Sequence, residues 1–123
     1  MPSPTEITVP QLCRVLGLPG APMFVDVRTP EAFGSDPLLL PAARHMDQRA
    51  VSMWGRLYAG RRVVAYCGDG GHVSHGVAAW LRDAGALAET LQGGSAAWRE
   101  AGQPLLRAGA LPARNAEGAG RSG

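Results

Sequence analysis

The stretch Val63-Val64-Ala65-Tyr66-Cys67-Gly68-Asp69-Gly70-Gly71-His72-Val73-Ser74-His75 decides how this chain is read. β-branched and aromatic residues run up to Cys67, the pattern of a short buried strand. Three glycines, Gly68, Gly70 and Gly71, follow within six residues, and from Ser74 the pattern turns helical. Glycine opens the φ > 0 conformations that turn successive backbone N–H groups inward as an anion nest. A helix N-terminus adds positive potential at the same place. Both effects favour thiolate over thiol. A cysteine that only fills core space gives no reason for so many glycines. Cys67 is therefore the candidate nucleophile. Gly68, Asp69, Gly70, Gly71, His72, Val73 and Ser74 form its candidate anion-binding loop.

Working outward, Thr8-Val9-Pro10-Gln11 has the Thr-x-x-Gln form of a capping box, and Val9, Leu12, Cys13 and Leu16 then recur on one helical face. Cys13 lies on that stripe and reads as a core residue. Met23 to Val27 reads as a buried strand, followed by a brief helical piece from Thr29 through Phe33 and a loop from Gly34 to Pro41. Ala42 to Arg44 is a very short strand. Asp47 caps a predicted helix to about Ala59 with Val51, Trp54, Leu57 and Tyr58 on one side. Val77, Trp80, Leu81 and Ala84 mark the helix face after Ser74, which Gly85 ends. Glu89 to Leu91 is a strand, and Gly93-Gly94-Ser95 opens a last helix through Ala101. Short strands alternating with helices predict an α/β fold with a mostly parallel sheet. Ligands in such sheets bind beyond the carboxyl ends of the strands, where both Cys67 and Asp26 to Arg28 fall.

The chain has 123 residues, 46% hydrophobic and 18% charged, with a net charge of +2, which fits one soluble globular domain. All 12 cations are arginine, read as compositional bias. They form no basic cluster, so nucleic acid is not an expected partner. Two cysteines make no disulfide framework, and His72 and His75 are a lone pair without further ligands, so neither a metal nor another cofactor is expected. Met1 to Val9 has no basic start or apolar core, and no apolar run approaches membrane-span length. The expected location is the cytoplasm. Arg107 to Gly123 lacks large apolar residues apart from Leu111 and reads as a disordered tail after a domain over 1–106.

Four segments carry a resemblance: Phe24-Val25-Asp26-Val27-Arg28-Thr29-Pro30-Glu31-Ala32-Phe33, Val63 to Cys67, Ala78-Ala79-Trp80-Leu81-Arg82-Asp83-Ala84-Gly85, and Leu91-Gln92-Gly93-Gly94-Ser95-Ala96-Ala97-Trp98. Taken together, in this order, they resemble a single-domain rhodanese. The resemblance implies a five-stranded parallel sheet flanked by helices. It also implies a sulfurtransferase in which Cys67 takes a sulfane sulfur as a persulfide and passes it to a thiophilic acceptor. Its partners would be a small sulfur donor and an acceptor, a protein thiol among the candidates. The usual loop is C-x-x-G-x-R followed by Ser or Thr. Here His72 stands at the arginine position and Ser74 is displaced by one, which looks more like a subgroup with a C-x-x-G-x-x-V-S loop. Phosphatases and arsenate reductases use C-x-x-x-x-x-R. That arginine position falls on Val73, which cannot clamp charged oxygens.

Several side chains have two readings. Ser74 donates its hydroxyl into the loop, caps the helix, or does both. His72 is a proton donor and partial cation or a solvated loop residue. Asp69 sets a carboxylate near the thiol, and it either turns to solvent or pairs with His72. The resemblance makes Asp26 and Arg28 supports of the active-site loop through hydrogen bonds. Arg44 is a candidate peripheral substrate contact. His45, near the start of a helix, and His75 read as surface residues, and Trp80 and Trp98 as core. The alternative to an enzyme is a catalytically weak module of the same fold that binds a partner or senses redox state.

Overall fold

The computed structural model describes residues 5–69 and 71–107. In chain order the elements are β1 (Glu6–Ile7), α1 (Val9–Val15), β2 (Met23–Asp26), α2 (Pro30–Ser35), β3 (Leu38–Leu39) and β4 (Arg44–His45). A 3-10 turn (Gln48–Ala50), α3 (Val51–Trp54) and a second 3-10 turn (Gly55–Tyr58) follow. Then come β5 (Arg62–Tyr66), α4 (His72–Asp83), β6 (Leu87–Leu91), α5 (Gly94–Glu100) and β7 (Leu106–Arg107). Five strands make one sheet in the order β1-β6-β5-β2-β4, every pairing parallel. The fold is the predicted α/β class, with helices on both faces.

β5 is the central strand, and its pleat sorts the core. Successive side chains point to opposite faces. Val63, Ala65 and Cys67 enter the cluster with Val25, Trp54, Tyr58, Val77 and Leu81, under α3 and α4. Val64 and Tyr66 enter the other, with Leu12, Phe24, Leu40, Leu91 and Trp98, under α1 and α5. Cys67 thus ends its strand on the α4 face. A fully buried Leu or Val contributes roughly 1.5–3 kcal/mol, so removing Leu81, which is wholly buried, strikes the wall that positions Cys67.

The capping box forms as the sequence indicates: Gln11 N–H donates to Thr8 Oγ1 (3.2 Å) and Thr8 N–H to Gln11 Oε1 (2.9 Å). α1 spans only seven residues, however, and rests on a narrow stripe through Val9 and Leu12. Cys13 falls off that stripe and is exposed, not a core residue. The single helix expected from Asp47 to Ala59 is three short pieces. Asp47 does cap the first, accepting from Arg49 N–H (2.9 Å). Gly55 interrupts the run, since glycine is the costliest ordinary residue in a helix interior. A Cβ there would lie 2.6 Å from the Trp80 ring, so the missing side chain lets α4 approach. Leu57, expected inside, is 72% exposed. Trp80 is half-buried, and Trp98 is buried with its indole N–H donating to the Pro104 carbonyl (2.7 Å).

Three two-residue strands escaped the sequence pattern. β1 pairs with β6, and β3 pairs antiparallel with β7, Leu38 opposite Arg107 and Leu39 opposite Leu106. Arg107, assigned to the tail from sequence, is therefore in a strand; residues 108–123 lie outside the described residues, as does Gly70. Among the described residues no helix is long and apolar enough to cross a membrane.

Candidate active site

The register Asp26↔Tyr66 aligns the ends of β2 and β5, so the turn after each strand opens at the same sheet edge. A cavity of about 340 Å³ lies between them, lined by Arg28, Thr29, Ala32, Cys67, Asp69, Gly71, His72 and Val73. Both segments singled out from sequence meet there.

Cys67 is 6% exposed. Its Sγ lies 3.6 Å from Asp69 Oδ1 and 3.5 Å from Ser74 Oγ. The hydrogens can be counted. Asp69 Oδ1 also accepts the Gly71 N–H (3.0 Å), and the Ser74 hydroxyl donates to the Gly71 carbonyl (3.1 Å). With Ser74's one proton committed, the thiol S–H donates to the carboxylate or to the Ser74 oxygen. A thiolate or persulfide would need Ser74 to turn its proton to sulfur and Asp69 to retreat, because two negative charges at this distance repel.

Asp69 stays exposed, as one of its two readings expects, and no ion pair with His72 forms among the described residues. Its Oδ1 at the same time folds back to accept the Gly71 N–H, in the side-chain-to-backbone turn that Asp favours. That turn ends the loop early, and α4 begins at His72, two residues before the expected opening. Gly71 is the N-cap and no side chain caps the helix. Ser74 consequently sits inside the first turn, fully buried, and is not the cap. Its inward role is the one observed. The first N–H groups of α4 have no acceptor within the helix, and they lie beside the loop that carries Cys67. His72 is exposed at the cavity rim, and Val73, 36% exposed, holds the position where a phosphate-clamping arginine would stand.

Arg28 is buried against Asp26, which is wholly buried. Arg28 donates from Nε (2.9 Å) and Nη2 (2.7 Å) to Asp26 Oδ2, from Nη1 to the Asp36 carbonyl (3.0 Å), and from Nη2 to the Leu38 carbonyl (2.9 Å). Its hydrogen bonds thus reach the Asp36–Leu38 segment. Its contact with the cysteine loop is packing, since a Cβ on Gly68 would meet Arg28 Cδ at 3.9 Å. Burial pulls the guanidinium pKa down, but the Asp26 hydrogen bond and charge, with smaller help from Tyr66 and Asp36, raise it overall. Burial, with the Asp26 charge added, pushes the Tyr66 phenol well above its ordinary value, so it is a neutral hydroxyl that accepts from Leu40 N–H (3.2 Å).

His45 ends β4 at this same edge, two residues before Asp47 caps the first 3-10 turn, and it is half-buried where a surface position was expected. Its Nε2 lies 2.9 Å from the Arg28 carbonyl, which can only accept, so Nε2 carries the proton. Its ring stacks on Phe33 at 4.1 Å, and the Arg28 guanidinium lies over the same Phe33 ring at 5.2 Å. Arg44, one residue earlier, does not reach the Cys67 cavity. His75 is an exposed helix residue, 3.7 Å from Glu6. Among the described residues no three His, Cys, Asp or Glu side chains gather as a metal site would require.

One support was missed from sequence. The N-terminal amides of α5 donate into the loop: Ser95 N–H to the Cys67 carbonyl and Ala96 N–H to the Gly68 carbonyl, each 2.9 Å. Gly93 makes this possible at φ +75°, where a Cβ would also collide with Ala97 Cβ at 2.6 Å. The Gly93-Gly94-Ser95 run, read only as a helix start, was the available signal, because a helix start leaves its amides free to bind something.

No family model matches the chain, and no curated protein matches it by sequence. Solved structures match by fold. A rhodanese-related protein from Thermoplasma volcanium matches with a TM-score of 0.69 at 20% identity, over 82% of this chain and 96% of that one. A rhodanese-like domain protein from Staphylococcus aureus matches with a TM-score of 0.66 at 24% identity, over 76% and 90%. A thiosulfate sulfurtransferase from Pseudomonas aeruginosa matches with a TM-score of 0.70 at 24% identity, over 86% of this chain and 20% of that longer one. The fold is rhodanese-like.

Proposed function

We propose that this chain is a sulfurtransferase that moves a sulfane sulfur from a persulfide, polysulfide or thiosulfate donor to a thiophilic acceptor through a persulfide on Cys67. The observation that carries this reading is the thiol itself. It ends the central strand, opens on a cavity at the carboxyl edge of the sheet, and sits in a loop clamped by α5. The Cys67 thiolate attacks the outer sulfur of the donor; the S–S bond breaks and the donor leaves as a thiolate, or as sulfite from thiosulfate. An acceptor nucleophile then attacks the outer sulfur of Cys67–S–S⁻, and Cys67 leaves as thiolate. One S–S bond forms and one breaks in the first step, so no external oxidant or reductant is needed. Loop amides from Gly68 to Ser74 would hold the persulfide's charge, with the Ser74 hydroxyl turned to sulfur. Asp26 and Arg28 hold the opposite wall. We place this chemistry in the cytoplasm, where thiols are kept reduced, with a small thiol or a protein thiol as acceptor.

The test is intact mass. Purified chain treated with polysulfide should gain one sulfur atom, lose it to cyanide or a thiol, and gain none as Cys67→Ser. A second reading is favoured by Asp69, whose carboxylate faces the sulfur. On that reading the chain is a weak or non-catalytic module that binds a partner or senses redox state. A folded wild-type chain that gains no sulfur from any of the three donor types supports the second reading and overturns the first.

A further inference from the structure

A second cavity, of about 530 Å³, lies at the other end of the sheet. β2 and β4 run parallel from Met23 and Arg44, which border this cavity, to Asp26 and His45 at the Cys67 edge. Met23 is separated from the Cys67 edge by the length of β2, Arg44 directly precedes His45, and the two cavities share no lining residue. The volume is within the range of small-molecule sites. Leu16, Met23, Phe24, Pro41 and Tyr58 give it mainly apolar walls. Arg44 is the charged group on its lining. The Arg44 side chain is exposed and makes no hydrogen bond or ion pair among the described residues; Arg14, Arg56 and Arg61 also lack one, but none of those three lines this cavity, while Arg28, Arg49, Arg62 and Arg99 each pair with a carboxylate. Beside it, Ala42 holds φ +66°, and among the described residues no other non-glycine residue has a positive φ. Strained backbone of this kind persists only where its surroundings fix it. Here it shapes the cavity edge two residues from the free cation.

We propose that this cavity binds a small amphiphilic monoanion, an apolar chain or ring ending in a carboxylate that pairs with Arg44. The chemistry follows from the lining. Apolar walls take the hydrocarbon body. A guanidinium with open donors takes a planar two-oxygen head in a bidentate pair. A neutral apolar molecule would leave the cation unused, and a compact dianion would leave the walls unused. The site is separate from sulfur transfer and stands whether or not Cys67 carries sulfur.

The experiment is calorimetric titration of the full chain with octanoate and with 1-octanol, at low and at high salt. Octanoate should bind about tenfold more tightly than octanol, the scale of a charge-assisted hydrogen bond at a partly exposed site. Salt should erode that advantage. Arg44→Gln should bring octanoate down to the octanol affinity, while Cys67→Ser leaves both affinities unchanged. Ala21, on the cavity wall and half-buried, offers a filling variant; Ala21→Leu, with fold checked by circular dichroism, should weaken both ligands. Equal affinity for octanoate and octanol in the wild type overturns the proposal, as does octanoate binding undiminished in Arg44→Gln. Self-association that Ala21→Leu abolishes would assign the cavity to a second copy of the chain and also overturn it.

Discussion

Two strand-to-helix turns share one edge of this sheet, and they are built in opposite ways. After β2, the turn through Arg28 and Thr29 is saturated: the guanidinium serves Asp26 and two carbonyls, and Thr29 Oγ1 caps α2 by accepting from Ala32 N–H (3.1 Å). After β5, the turn through Cys67 is left incomplete. α4 has no side-chain cap, and the thiol is offered two acceptors for one proton. The first turn is a fixed wall. The second makes its own bonds, Gly71 N–H to Asp69 and Ser74 hydroxyl to the Gly71 carbonyl, through exposed or rotatable groups that can be reassigned when a charge appears on sulfur. Sheet position alone does not make a reactive site; the contrast lies between a buried charged pair that is fixed and a set of hydrogen bonds that can be exchanged.

The largest effect should come from the incomplete turn. Cys67→Ser should abolish persulfide formation and transfer with little change in melting temperature, while Cys13→Ser, on the exposed side of α1, should leave both intact. Site-resolved mass spectrometry of the sulfurated chain checks this, and sulfur carried on Cys13 would reverse the comparison. In the saturated turn the effect should be on stability. Asp26→Ala strands a buried guanidinium, which should cost about 3–5 kcal/mol and lower the melting temperature by more than about 10 °C. The double variant Asp26→Leu with Arg28→Met should recover most of that loss, since it leaves no unpaired charge. Chemical denaturation of all three forms decides it, and an equally unstable double variant would mean that the carbonyls of Asp36 and Leu38 depend on Arg28 more than Arg28 depends on Asp26.

A smaller effect is expected at Asp69. Thiosulfate is a compact dianion. In this cavity it meets a carboxylate, while the nearby guanidinium is already engaged by Asp26. Asp69→Ser should raise kcat/KM for thiosulfate by about tenfold, equivalent to ~1.4 kcal/mol, and change polysulfide turnover much less. Steady-state rates with both donors read this directly, and an equal gain for both would show that Asp69 acts on the thiol and not on the donor's charge. The smallest effect lies outside both turns. The Asp47 carboxyl is held below its ordinary pKa by the Arg49 side chain and then the Arg49 amide. A depressed carboxyl contributes stability that is present above the ordinary value of about 4 and lost as pH falls through the lower folded value. Melting curves of wild type and Asp47→Ala should therefore converge as the pH drops below about 4, and a gap that stays constant would leave the charge without a role.

Much of this was legible in the chain because it is written locally. The run Val63 to Tyr66 needs no partner to read as a buried strand, and the capping box at Thr8 and Gln11 is complete within four residues. What was hidden depends on distant partners. Glu6–Ile7, Leu38–Leu39 and Leu106–Arg107 are strands only because another strand lies beside them, and two residues carry no periodicity. At the site, the cysteine, its glycines and the converging Asp26–Arg28 turn were readable. The bond from the Gly71 amide to Asp69 was not, because an exposed carboxylate can turn to solvent, to His72 or to the loop's own amides. Cys13 misled because the apolar spacing is real but α1 is too short to bury all of it.

The two hydrogen bonds from Ser95 and Ala96 have a consequence for how the molecule is made. The peptide that carries the nucleophile is tied down by the last helix among the described residues, more than two dozen residues further along the chain. A growing chain ending before Gly93 would already contain the cysteine and its glycines, yet the Cys67 and Gly68 carbonyls would lack these two donors. The thiol's setting is therefore finished late, when most of the sheet has been synthesised, and a chain cut short in this region loses the two ties on its reactive loop together with Trp98, which closes the core on that face.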